Sequence, residues 1–169
     1  MILLLAIAVA ALVPAAAFAA SLSPIEALGK NLFFDKNLST PAGMACAACH
    51  ASQVGWTGPD AIINLGGAVY EGAVPGRFGN RKPPSSAYGG NSPILSLDAT
   101  TNAWTGGMFW DGRATGLTLG DPLAEQAIGP FLNPLEQNNA TAGVVVNKVE
   151  QSGTRTSSRV FGNQPHSVT

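Results

Sequence analysis

Cys46-Ala47-Ala48-Cys49-His50 holds both cysteines of the chain and one of its two histidines. The spacing Cys-x-x-Cys-His is that of a c-type haem attachment site. On a helical turn, positions three and four apart share a face. Both sulfurs can therefore form thioethers with the two vinyl groups of one porphyrin, while His50 turns an imidazole nitrogen to the iron as proximal ligand. Other uses of such a pair fit less well. A structural zinc site takes four ligands, and beyond this stretch the chain offers only His166 and no further cysteine. A redox dithiol belongs in a strand-to-helix α/β pattern, which this sequence lacks. A disulfide closing the short loop is the remaining alternative.

Outward from that stretch, the 169 residues fit one domain with tails. Only 11% of them are charged and the formal net charge is −1, so there is no basic footprint for nucleic acid. Gly 20 and Pro 12 point to a backbone rich in turns and loops. Residues 1–20 run apolar from Met1-Ile2-Leu3 to Ala20. Ala17-Phe18-Ala19 presents small residues at the two positions a signal peptidase reads, so residues 1–19 are expected to be a signal peptide cleaved after Ala19. No Lys or Arg precedes the run, and an N-terminal membrane anchor is the rival reading; Pro14 and the alanine-rich end favour cleavage. The expected product is a periplasmic protein with no membrane contact after cleavage. This agrees with c-type haem being attached outside the bacterial cytoplasm.

Ser23-Pro24-Ile25-Glu26 predicts a helix start with Ser23 as cap, Pro24 at the first position and Glu26 closing a capping box. Ile25, Leu28 and Leu32 share one face of a helix running to about Phe34, and a short helix is expected over Cys46–His50. From Gly55 to Gly107 glycines and prolines recur without periodicity, as in Pro83-Pro84, Gly89-Gly90 and Gly106-Gly107. An irregular stretch that long is unusual in a compact domain, unless its loops wrap a flat apolar cofactor. Asp121-Pro122 opens another helix, ended by Gly129-Pro130, and Asn133-Pro134-Leu135-Glu136 repeats the same kind of start. Val144 to Val149 reads as a last helix or a strand. The expected fold is mainly α: a c-type cytochrome-like helical domain over residues 20–150 with long irregular haem-wrapping loops, and a frayed polar tail over 151–169.

Several motifs now agree: Leu28-Gly29-Lys30-Asn31-Leu32-Phe33-Phe34-Asp35, the haem motif, Asn80-Arg81-Lys82-Pro83-Pro84-Ser85, Phe109-Trp110-Asp111-Gly112-Arg113-Ala114, Gln126-Ala127 and Asn133-Pro134-Leu135-Glu136. The series resembles the N-terminal haem domain of bacterial di-haem cytochrome c peroxidases, including the methylamine-utilisation di-haem enzymes. The resemblance implies one covalent haem c, reduction of hydrogen peroxide, and electrons from a small donor protein of cytochrome or cupredoxin type. His50 matches the proximal ligand. Gln126 and Glu136 keep the ten-residue separation of the distal pair, Glu136 as the acid–base group and Gln126 as the group that orients peroxide. Trp110 matches a relay between haems, Arg113 with Asp111 forms a structural pair or holds a propionate, and Asn80 matches a calcium ligand. Two departures stand out. No second Cys-x-x-Cys-His follows Glu136, which reads as a half-length relative, a truncated chain, or one component completed by a second haem domain or subunit. Residues 51–107 contain no histidine to occupy the sixth iron position.

Each role has a plainer rival. Glu136 sits where a capping glutamate would, Gln126 suits a helix surface, and Trp110 suits a core. A monohaem electron carrier without catalysis would need a sixth ligand, for which Met108 is the candidate; ordinary packing beside Phe109 and Trp110 is its alternative. A non-functional fragment is the third reading.

Overall fold

The computed structural model describes residues 21–152. The expected signal peptide and nearly all of the expected tail lie outside the described residues. Helix α1 spans Pro24–Phe34 and begins as its sequence dictates. The Ser23 hydroxyl accepts from the Glu26 N–H, and the Glu26 carboxylate accepts from the Ser23 N–H at 2.7 Å. Of its apolar face, Leu28 is buried while Ile25 stands exposed. At its far end Phe33 meets Trp56 edge to face, ring centroids 5.6 Å apart. This fastens α1 beside the haem motif, against which it also packs.

The motif itself is tighter than the expected short helix. Cys46–Ala48 is a 3-10 turn, with the N–H groups of Cys49 and His50 both donating to the Cys46 carbonyl at 3.1 and 3.0 Å. It goes no further because the next residue is drawn into an extended bridge, the Ala51 N–H donating to the Thr57 carbonyl at 2.9 Å.

The stretch from 55 to 107 is irregular, as expected, apart from a short helix, a 3-10 turn at Gly89–Asn91 and a two-stranded hairpin that its composition hides. Helix α2 covers Ala61–Leu65 behind an Asp60 cap. Strands β1 (Ser96–Asp98) and β2 (Ala103–Thr105) form an antiparallel hairpin with Leu97 opposite Trp104.

Helix α3 covers Pro122–Leu132, with the Asp121 carboxylate accepting from the N–H groups of Leu123 and Ala124. It runs past Gly129-Pro130, where the sequence pattern places its end. Pro130 forfeits one N–H there, but it lies in the last turn, and the carbonyls that follow are taken up by the chain beyond. Asn133 bonds back to Gly129, Gln137 to Pro130 and Asn139 to Phe131. Asn133-Pro134-Leu135-Glu136 then makes a single turn instead of a helix start. Its Glu136 carbonyl accepts from the Ala73 N–H at 2.7 Å, an outside partner that stops helical propagation. Helix α4, Ala142–Gln151, capped by Thr141, settles the valine run as helical.

Leu38 and Ser39 are fully buried where the segment after α1 meets the segment after α3. Asn139, also buried, donates through Nδ2 to the Leu38 carbonyl at 2.7 Å and the Phe131 carbonyl at 2.9 Å. Lys148 of α4 donates to the Ser39 carbonyl, Thr40 Oγ1 and Asn139 Oδ1, and burial pulls its pKa below the ordinary lysine value. The apolar core is small. Among the described residues only Leu28, Leu38 and four alanines are both apolar and buried, against sixteen large apolar side chains that are exposed. No described helix is long and apolar enough to cross a membrane.

Asn139 Nδ2 is the partner of the buried Leu38 carbonyl, whereas the Phe131 carbonyl keeps the Asn139 backbone N–H at 3.0 Å; leaving one such group unsatisfied costs about 1–3 kcal/mol. Asn139→Ala is therefore expected to lower stability by about 1–3 kcal/mol, read as a fall in the urea midpoint of the haem-loaded protein with little change in slope.

Candidate functional site

The small loop from Ala51 to Thr57 closes on itself: the Trp56 N–H donates to the Ala51 carbonyl at 2.8 Å. Trp56 is in the left-handed region at φ 62, an uncommon conformation for a bulky residue. There its carbonyl stands 3.2 Å from His50 Nδ1. A histidine whose Nδ1–H donates to a carbonyl is fixed as the tautomer with a free lone pair on Nε2, the form that binds metal. Phe33 against Trp56 supports the loop from behind.

Cys46 and Cys49 are both free and half-buried; no disulfide joins them. Burial, reinforced by the Glu136 charge, pushes the Cys49 thiol up to about 11, and burial raises Cys46 as well. A redox dithiol needs the opposite, a lowered pKa that yields thiolate. Neutral, shielded sulfurs suit permanent covalent attachment.

Glu136 lies in the turn after α3, half-buried. Burial pushes its carboxyl above the ordinary glutamate range; the Asn133 amide and the charges of His50 and Arg113 pull the other way and do not cancel it. The Asn133 Nδ2 donates to Glu136 Oε1 at 2.6 Å. Glu136 thus acts electrostatically on both cysteines, His50 and Arg113, and these five residues, far apart in sequence, form one neighbourhood. The Arg113 guanidinium lies 3.7 Å above the Phe109 ring and pairs with Asp111 at 2.9 Å. A cavity of about 310 Å³ beside it is lined by Phe109, Arg113, Leu119, Glu125 and Ile128 among others. Phe109, Leu119 and Ile128 with the Arg113 guanidinium suit a flat apolar body with carboxylate tails such as a porphyrin, and the Glu125 carboxylate in the same wall is taken up by backbone N–H groups. Gln137, 3% exposed, has its Nε2 3.8 Å from Cys46 Sγ and leaves its Oε1 without a partner. The residues present fit a c-type haem.

Of the other expected site residues, Gln126 is half-buried on α3. Trp110 is 72% exposed, with the Arg81 guanidinium 4.5 Å from its ring centre. The methyl of Met108 lies close to Gly89, near Leu123, the geometry of packing. Asn80 is exposed, and no group of three or more His, Cys, Asp or Glu side chains among the described residues could hold a metal ion. Sequence reasoning missed Gln137, Lys148 and Glu125. The last accepts from the backbone N–H groups of Gly116, Thr118 and Leu119 at 2.7–3.0 Å and shapes the cavity wall. Nothing in its one-helix context announces that loop as a partner.

Comparison with known proteins gives a consistent result. Residues 23–169 match the family described as di-haem cytochrome c peroxidase. The chain is 38% identical to the methylamine utilization protein MauG of Paracoccus denitrificans over 131 residues, covering 75% of this chain and 32% of that protein. It is 30% identical to the cytochrome c peroxidase Ccp of Escherichia coli over 126 residues, 74% of this chain and 21% of that one. Its fold is similar to the crystal structure of the diheme peroxidase BthA from Burkholderia thailandensis, with a TM-score of 0.69 and 34% identity over 85% of this chain and 36% of that one. The chain spans about a third or less of the length of these relatives.

A carboxyl whose folded pKa is raised is stabilising only while protonated; that contribution is lost as pH rises through the folded value. Glu136→Gln keeps the Asn133 bond and removes the charge. It is expected to melt higher than the unsubstituted protein at neutral pH, with the gain shrinking toward zero as pH falls below the ordinary glutamate range, checked by thermal melts across pH.

Proposed function

We propose that this chain, which belongs to the di-haem cytochrome c peroxidase family, is a peroxide-reducing haem domain acting in the periplasm. Its electrons come from a small cytochrome or cupredoxin-type donor and pass through a second haem domain or subunit. The balance is two electrons and two protons delivered to hydrogen peroxide, giving two waters. Cys46 and Cys49 hold the haem through thioethers and His50 is the proximal ligand. Arg113 meets a propionate, and the loops between 55 and 107 wrap the porphyrin. Bound haem supplies the redox iron, and the chain's own groups supply orientation and proton transfer.

One observation carries this reading. A carboxyl with its pKa raised by burial sits within electrostatic reach of the proximal histidine and of both attachment cysteines. Cleaving the O–O bond requires a proton to leave one peroxide oxygen and arrive at the other, and a general acid–base works best when its pKa approaches the working pH. Asn133 holds Glu136 Oε1, which leaves Oε2 to take up and return that proton. Gln126 orients the peroxide by hydrogen bonding. Trp110 relays electrons at the exposed edge, and the donor or second domain approaches from that side.

General acid–base groups contribute about 10²–10⁴-fold. Glu136→Gln should slow peroxide cleavage by the ferric protein by about that factor in stopped-flow absorption, with haem attachment unchanged by intact mass. An unaltered rate removes the acid–base role.

A further inference from the structure

The ammonium of Lys148 has no carboxylate among its hydrogen-bond partners. Its three donors are matched by three neutral oxygens: the Ser39 carbonyl at 2.5 Å, Thr40 Oγ1 at 2.6 Å and Asn139 Oδ1 at 2.8 Å. These come from two segments about a hundred positions apart, and the lysine itself from α4. The first segment leads directly into the haem motif; the second comes directly after Glu136 and Gln137. Around the ammonium the segments are laced. Thr40 donates from its N–H to the Gln137 carbonyl at 2.8 Å and from Oγ1 to Asn139 Oδ1 at 2.8 Å, while Asn138 Nδ2 donates to the Thr40 carbonyl at 2.8 Å. A cation bound by converging neutral dipoles resembles a coordinated metal ion. Without it, oxygen lone pairs drawn to one point repel.

We propose that Lys148 is a positioning residue for Glu136: its ammonium fills a cation site built from Ser39 O, Thr40 Oγ1 and Asn139 Oδ1, and so sets where the Glu136–Gln137 turn stands relative to Cys46 and His50. The functional part of this rests on the reading of Glu136 as the proton carrier. The structural part does not. The lysine lines a cleft with Asn37, Gln151 and Ser152, so a small cation can reach the site once the side chain is shortened.

The test uses haem-loaded protein. Lys148→Ala should lower the melting temperature, alter the ferric absorption and electron paramagnetic resonance spectra, and slow peroxide cleavage about 10–100-fold, as displacements of about 1 Å do. Propylammonium replaces the three methylenes and the ammonium that Lys148→Ala removes, and it should restore spectra and rate. Tetramethylammonium at equal ionic strength should not. Lys148→Met, which fills the channel without charge, should stay altered and ignore propylammonium; a response there would expose a direct amine effect and overturn the proposal. Val145→Ala, weakening α4 elsewhere, should lower the melting temperature with native spectra. Native spectra in Lys148→Ala, or no recovery with propylammonium, would reduce Lys148 to a helix anchor and overturn the proposal. Thr40→Val removes one of the three acceptors together with the Oγ1 bond to Asn139 Oδ1, and serves if Lys148→Ala does not fold: it must shift the spectra, and native spectra sink the idea. If Glu136→Gln leaves peroxide cleavage unchanged, the acid–base reading falls while these spectra still decide the clamp.

Discussion

Four hydrogen bonds between residues 38–40 and 137–139 join parts of the chain separated by about a hundred positions. Everything proposed for the site depends on that seam. On one side the chain enters the Cys46–Ala48 turn; on the other it carries Glu136 and the buried Gln137. The seam is polar and partly buried: Leu38, Ser39, Gln137 and Asn139 are shut in, while Thr40 is exposed. Its buried groups are therefore held to their partners by the cost of losing them, which fixes geometry more sharply than apolar contact does.

Such precision matters because the rest of the domain has little packing to rely on. Leu28 is the one large apolar side chain that the described α-helices bury, Leu38 lies in a 3-10 turn and the four buried alanines lie outside helices, while large apolar residues along the loops and helix ends stay exposed. Exposed apolar side chains in that number suit a domain to which something apolar binds. A porphyrin tethered at Cys46 and Cys49 is one such body, and a neighbouring domain or subunit is another. Binding of both to the folded form adds to its stability by mass action or by covalent attachment. The polar seam is what remains to register the halves before those surfaces are covered.

Local signals were legible in the sequence wherever a helix end announces itself. Ser23 and Asp121 cap α1 and α3 as their Pro and Glu sequels imply. Cys-x-x-Cys-His names its candidate attachment site from spacing alone. The reading failed where one residue serves a partner far away. Pro130 looks like a stop signal, yet Asn133, Gln137 and Asn139 return to cap the carbonyls around it, and no window of α3 contains that information. Lys148 and Gln137 belong to none of the motifs read from the sequence. Their burial and partners come from the seam, which is a property of the fold. Trp110 departs from its expected core position for the same reason: exposure is decided by what covers a surface, and Arg81 is the residue that meets its ring.

The two carboxylates on either side of the α3 end show how position alone separates role from role. Glu125 collects N–H groups from Gly116, Leu119 and Thr118, and these hold its carboxyl below the ordinary range. It stays ionised, and its charge is spent on shaping a loop. Glu136, eleven positions on, is shifted the other way by burial. A carboxyl stabilised by backbone donors gives up those bonds when it takes a proton, so protonation costs loop structure; one already pressed toward neutrality loses little. Divergence of two similar groups in opposite directions is how a fold separates an electrostatic anchor from a proton carrier. By that criterion the acid–base role proposed for Glu136 agrees with the direction of its shift, and Glu125, which lines the cavity, is ill suited to the same role because of the hydrogen bonds that hold it there.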